Sequence, residues 1–133
     1  MEAVAHLDTH VLVWLYAGAL ERIPAQVREQ LETHALVFSP AARLELQFLF
    51  EIRRIAETAD AVIADLERRI ELHESEVPFP KVVSIATALT WTRDPFDRLI
   101  VAQAQAQRAP LITADSVIRK HFKGAVWGRV KGR

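Results

Sequence analysis

The sequence predicts an α/β fold of three layers, with a short central parallel sheet flanked by helices. Three observations carry this reading. Short runs at residues 1–7, 35–38, 110–113 and 125–127 are almost uniformly apolar, as befits strands buried on both faces. Segments of helical periodicity separate them, so strands and helices alternate. No internal repeat, low-complexity stretch or linker interrupts the 133 residues, so 1–133 is expected to be a single domain.

The elements follow in order. Residues 1–7 predict a buried strand, and Asp8-Thr9 before the apolar run 11–16 marks a helix start. Residues 23–31 have helical spacing, with Pro24 near the beginning. A strand is expected over 35–38. Ser39-Pro40 then supplies a cap and a first-turn proline for a helix running to about Ile52. Ala59, Val62, Ile63, Leu66 and Ile70 recur at three- and four-residue steps, an amphipathic helix. After the breaks at Pro78 and Pro80, residues 82–89 resume a helical pattern. Asp94-Pro95 opens a long Ala- and Gln-rich helix over 96–107. A strand at 110–113, a short helix opened by Asp115 and a last strand at 125–127 complete the chain.

Composition excludes several chemistries. The absence of cysteine removes disulfides, thiolate zinc sites and cysteine nucleophiles. There is no apolar stretch of about 18 residues and no export signal, so the protein is expected in the cytoplasm. No glycine-rich phosphate loop or Gly-x-Ser-x-Gly elbow is present. The histidines have no metal-ligand spacing. Formal net charge is zero, yet residues 116–133 hold six Lys or Arg and no acid. Such a basic end is either a phosphate-binding edge or a solvated terminus.

The acids carry the chemical signal. In a parallel sheet, ligands bind beyond the carboxyl ends of the strands, where Asp8 and Asp115 fall. Each also suits a helix cap, as does Asp94, with Asp97 three residues on in a capping-box relative. Asp97, however, leads the apolar line of Ile100, Val101 and Ala104. Glu45 is harder to explain structurally. Its neighbours along the helix are Ala41, Ala42, Phe48 and Leu49, which puts a carboxylate on a hydrophobic face. A buried charge is paired or binds a metal, so either Arg43 or Arg98 neutralises Glu45, or several acids converge on a cation. An all-oxygen set suits Mg2+, with Mn2+ as a substitute.

These segments resemble the PIN-domain family, and in particular its VapC-type toxin ribonucleases. Leu7-Asp8-Thr9-His10-Val11-Leu12-Val13-Trp14 is similar to the opening motif. Ser39-Pro40-Ala41-Ala42-Arg43-Leu44-Glu45-Leu46 resembles the helix that bears the family's glutamate. Arg93-Asp94-Pro95-Phe96-Asp97-Arg98 and Leu111-Ile112-Thr113-Ala114-Asp115 are similar to the third- and fourth-acid segments. The resemblance spans nearly the whole chain and implies a PIN-like fold. It places the acidic quartet on Asp8, Glu45, Asp97 and Asp115, with Asp94 as an extra metal-binding acid and Thr9 and Thr113 as supporting hydroxyls. It also implies Mg2+-dependent endoribonuclease activity in a type II toxin–antitoxin system, with neutralisation by a VapB-like antitoxin.

On this reading Arg98 and the basic C-terminal group would grip RNA. Apolar segments at 13–16 and 48–50 would serve a homodimer contact, an antitoxin groove or the core. An RNase H-like nuclease is disfavoured because a helix, not a further strand, follows Asp8. A haloacid-dehalogenase-type phosphatase would need an acid where His10 stands. The remaining alternative is an inactive PIN-like module that binds RNA or a protein.

Overall fold

The computed structural model describes residues 3–128; Arg129, Lys131 and Arg133 of the basic C-terminal group lie outside them. Five strands form one sheet: β1 (Val4–Leu7), β2 (Ala35–Phe38), β3 (His73–Glu74), β4 (Leu111–Ile112) and β5 (Ala125–Val126). Their order is β3-β2-β1-β4-β5, and every pairing is parallel. The flanking helices are α1 (Thr9–Ala17), α2 (Ala25–Thr33), α3 (Pro40–Glu51), α4 (Ala59–Ile70), α5 (Phe79–Thr87), α6 (Pro95–Ala106) and α7 (Ser116–His121).

Strand β1 is central because its side chains pack on both faces. Ala5, His6 and Leu7 are all buried, beside Phe38 of β2 and Leu111 and Ile112 of β4. From β1 the chain builds outward through β2 and β3, then returns to the other side for β4 and β5. That reversal between β1 and β4 opens a crevice at their carboxyl ends. Small residues in α6, Ala102 and Ala104, are wholly buried and let this helix approach closely.

Local signals set the helix boundaries. Ser39 Oγ accepts from the Ala41 amide at 3.0 Å at the start of α3, and Thr58 caps α4 through the Ala61 amide. Helix α1 ends at Gly18, whose φ of 72° is the left-handed turn that glycine adopts without Cβ strain. Two expected boundaries shift: the helix expected over 23–31 runs from Ala25 to Thr33, and the one expected over 82–89 begins at Phe79. Proline cannot continue a preceding helix but sits well in a first turn, so Pro24 and Pro78 act as caps and Pro80 lies inside.

Strand β3 has no counterpart in the sequence reading. Its two residues are polar and exposed at the sheet edge, and it exists through pairing with Val37 and Phe38. A buried polar chain pins it. Ser39 Oγ donates to Gln103 Oε1 at 3.0 Å, and Gln103 Nε2 donates to Ser75 Oγ at 2.9 Å. Ser75 Oγ donates to Gln107 Oε1 at 3.0 Å, where His6 Nε2 also donates at 2.6 Å. These buried hydrogen bonds help to fix the packing, although the Nδ1 of His6, at the end of this polar chain, is buried without a partner among the described residues. Among the described residues no helix is long and apolar enough to cross a membrane.

Candidate active site

Four elements bring acids to the crevice. Asp8 follows β1, Glu45 lies in α3, Asp94 and Asp97 open α6, and Asp115 follows β4. The capping geometry read from the sequence is real. Asp8 Oδ1 accepts from the Thr9 amide at 2.8 Å. Asp94 Oδ1 accepts from the Phe96 and Asp97 amides at 2.8 and 3.2 Å. Asp115 Oδ1 accepts from the Ile118 amide at 2.9 Å. Capping and site formation are therefore not exclusive, since each cap leaves a second oxygen.

Two threonines organise the rest. Thr113 Oγ1 donates to Asp8 Oδ2 at 2.6 Å and accepts from the Asp115 amide at 3.0 Å. Thr9 Oγ1 donates to Glu45 Oε1 at 2.6 Å. Both hydroxyls are fully buried. They tie the loop after β1 to α3 on one side and to the loop after β4 on the other. Thr113→Val should therefore release Asp8 and Asp115 together. If the site works as proposed below, activity should fall about tenfold or more, the scale of a lost supporting contact.

The electrostatics show that the acids share one environment. Burial and the charges of Asp94, Asp8, Asp115 and Glu45 push Asp97 up to about 8. Burial raises Asp8, opposed by the hydrogen bonds from Thr113 and Thr9, with His10 lowering it and Asp115 raising it further. Glu45 is raised by burial, and Asp8 and Asp94 add to this. The exposed ring of His10, on the first turn of α1, thus stands near enough to favour both carboxylates.

Neither arginine weighed as a partner for Glu45 serves as one. Arg43 pairs with Asp60 at 2.8 Å and Glu74 at 3.6 Å. Arg98 donates to the Ala86 and Thr87 carbonyls at 3.1 Å each. It closes the end of α5. Among the described residues no Lys, Arg or His forms an ion pair with Asp8, Glu45, Asp94, Asp97 or Asp115.

Unpaired, half-buried carboxylates in one crevice, oxygen donors throughout, suit a hard divalent cation. The side chains are not drawn into a finished cage: among the described residues no three His, Cys, Asp or Glu side chains form a ready metal-ligand group. Mutual repulsion opposes closer approach of such acids without a cation. Between the two acids of α6, Asp94 is exposed and engaged in capping, whereas Asp97 is half-buried with a side chain that makes no hydrogen bond among the described residues.

A family model described as the PIN domain matches residues 5–122. The chain belongs to the PIN domain family. The matched span includes all five acids. No curated protein matches the chain. Among solved structures, this PIN domain is similar to VapBC2 of Rickettsia felis bound to a promoter DNA fragment. The TM-score is 0.63 at 17% identity, over 92% of this chain and 96% of that one. It is also similar to VapBC-1 of nontypeable Haemophilus influenzae, with a TM-score of 0.63 at 18% identity over 94% and 96% of the two chains. A toxin–antitoxin complex from Klebsiella pneumoniae gives 0.61 at 20% identity over 92% and 95%. These likenesses establish the fold.

The polar chain from Ser39 to His6 and the position of His10 were not anticipated from sequence. The polar chain's trace there is a pair of glutamines four apart, Gln103 and Gln107, at the end of an Ala-rich helix.

Proposed function

We propose that this PIN domain is a VapC-like toxin, an endoribonuclease that hydrolyses RNA phosphodiester bonds with Mg2+, or Mn2+ in its place. The observation that carries the reading is the group of carboxylates at the β1–β4 crevice, without ion-pair partners among the described residues. Within it, Asp8, Glu45 and Asp97 are raised by burial and by neighbouring acids. Asp8, Glu45 and Asp97 would hold the cation, Asp115 would complete the set, and Asp94 would add charge at the rim. The bound cation supplies Lewis acidity toward a phosphate and a water.

The chain's own part is orientation. Thr113 fixes one oxygen of Asp8 and the position of Asp115, and Thr9 fixes one oxygen of Glu45. Asp115 then orients the attacking water, leaving 5′-phosphate and 3′-hydroxyl products. Asp97, raised to about 8 by burial and its acidic neighbours, would hold the cation as a carboxylate and so would release a proton to do so. An RNA cleavage assay tests this. Cutting with Mg2+, none with EDTA and 5′-phosphate ends are expected. Absence of cleavage with Mg2+ and Mn2+ would favour the non-catalytic RNA- or protein-binding alternative.

The fold likeness to VapBC complexes supports a VapB-like antitoxin as partner, with action in the cytoplasm where RNA is exposed to it. A homodimer is proposed through α3 and α5. Leu44, Phe48 and Ile52 recur every fourth residue and are 62%, 46% and 44% exposed, and Phe79 beside them is 66% exposed. Leu44 and Phe79, with Pro40, Phe96 and Leu99, border an apolar groove of about 240 Å3. Contiguous exposed apolar surface of this kind marks an interaction site. Leu44→Glu with Phe48→Glu should give a monomer by sedimentation velocity; an unchanged sedimentation coefficient would refute this interface.

A further inference from the structure

Outside the carboxylate group, the richest cluster of unassigned side chains surrounds α7. We infer that α7 and the Trp91–His121 pair form a landing track for a single-stranded polynucleotide, with Arg119, Lys120 and Lys123 engaging phosphates and His121 stacking on a base. The inference rests on the nuclease reading and names where its substrate leaves the acidic centre.

Position comes first. Asp115 caps α7, and the other end of this helix is six residues away, about 9 Å at 1.5 Å per residue. Arg119, Lys120 and His121 fill that last turn, and all three, like Lys123, are exposed. No acid occurs from Ser116 onward, so this short stretch presents a basic surface beside the acid that caps α7. Positive charge beside a group of carboxylates favours the approach of a polyanion.

Preorganisation comes second. The His121 ring lies parallel to Trp91, 2° between planes and 5.2 Å between centroids. Its Nδ1 donates to the Val117 carbonyl at 3.1 Å, which fixes the ring's orientation. Trp91 is three residues before Asp94, at most about 11 Å along the chain. The stack therefore braces the segment leading to Asp94 against the far end of the helix that Asp115 caps. A ring held on one face and exposed on the other is a low-entropy platform for a nucleobase. Stacking and phosphate contacts together are how single strands are held without a base-pair register. No ion pair engages Arg119, Lys120 or Lys123 among the described residues, which leaves these cations available.

The test measures binding of a short unstructured oligoribonucleotide to the full chain in EDTA, by fluorescence anisotropy across a salt series. Arg119→Ala with Lys120→Ala should weaken binding and flatten the log Kd against log salt slope by about 1.4, roughly 0.7 per phosphate contact on a single strand. His121→Ala should raise Kd about tenfold with the slope kept, and His121→Phe should restore affinity. A ring serving only to brace these two segments would change the melting temperature but not produce that contrast in slopes. Wild-type cleavage of RNA with unchanged Kd and slope in all three variants would overturn the track and leave the nuclease reading intact. Track-dependent binding without Mg2+-dependent cleavage would overturn the nuclease reading instead. Unchanged RNA binding with a weakened antitoxin complex would reassign the surface to a protein and also overturn the proposal.

Discussion

Asp8→Asn is expected to abolish Mg2+-dependent RNA cleavage while raising the melting temperature of the metal-free protein. Loss of one direct ligand to a catalytic cation removes several kcal/mol of transition-state stabilisation, a rate loss of about a thousandfold or more. The fold should tolerate the change. Asn retains an oxygen for the Thr9 amide, and its amide donates to Thr113 Oγ1 once that hydroxyl rotates, preserving both contacts of the aspartate. The stability gain follows because Asp8 is 6% exposed and its ionised form is disfavoured by burial. A neutral amide avoids that cost. Single-turnover cleavage and calorimetry in EDTA measure the two effects. An active Asp8→Asn enzyme would refute the proposed metal site. An inactive variant that is also less stable would show that Asp8 acts mainly through its structural bonds.

The second large effect is a dependence of stability on pH that the cation reverses. Asp97 is raised to about 8 from an ordinary 3.8, and Asp8 and Glu45 move in the same direction. Between the unfolded and folded values the native protein holds a proton that the unfolded chain has released. Stability therefore falls as pH rises through this interval, and the contribution is gone above the folded value. His6 acts oppositely. Burial lowers it from 6.5, so the neutral form kept in the fold loses stability as pH falls below that figure. The window from pH 7 to 9 thus isolates the acids.

In EDTA the melting temperature should drop across that window by about 5 °C or more, and Asp97→Asn should largely remove the drop. Mg2+ should restore the loss, more at pH 9 than at pH 7, because binding requires deprotonated carboxylates. Identical melting curves at pH 7 and 9 in EDTA, unchanged by Asp97→Asn, would rule out the mutual repulsion described for this crevice.

Much of the site was legible because its residues break local rules. Glu45 stands out as a charge on the apolar side of a helix, and the structure leaves it without the arginine partner that would have made it ordinary. Asp8, Asp94 and Asp115 announce themselves as caps, a backbone property readable over three or four residues. What pattern could not supply was the company each keeps. Arg43 and Arg98 were equally eligible as partners of Glu45, but Asp60 and Glu74 engage one and the end of α5 the other, all of them 11 or more residues away along the chain. The choice between Asp94 and Asp97 likewise depended on burial, which differs between them although both lie in the same turn.

Strand β3 marks the limit most clearly. His73 and Glu74 have no strand signature, because an edge strand of two residues acquires its conformation from its neighbour's unpaired backbone groups. The sequence by itself determined the alternation of strands and helices, the caps and the order of the acids, since each depends on interactions within about one helical turn or on a strand's uniform burial. Tertiary structure alone decided the strand order, the polar chain from Ser39 to His6 and the meeting of five carboxylates at one crevice. These depend on contacts between residues up to 105 positions apart, as with Thr113 and Asp8, whose energy is set by geometry that no local pattern encodes.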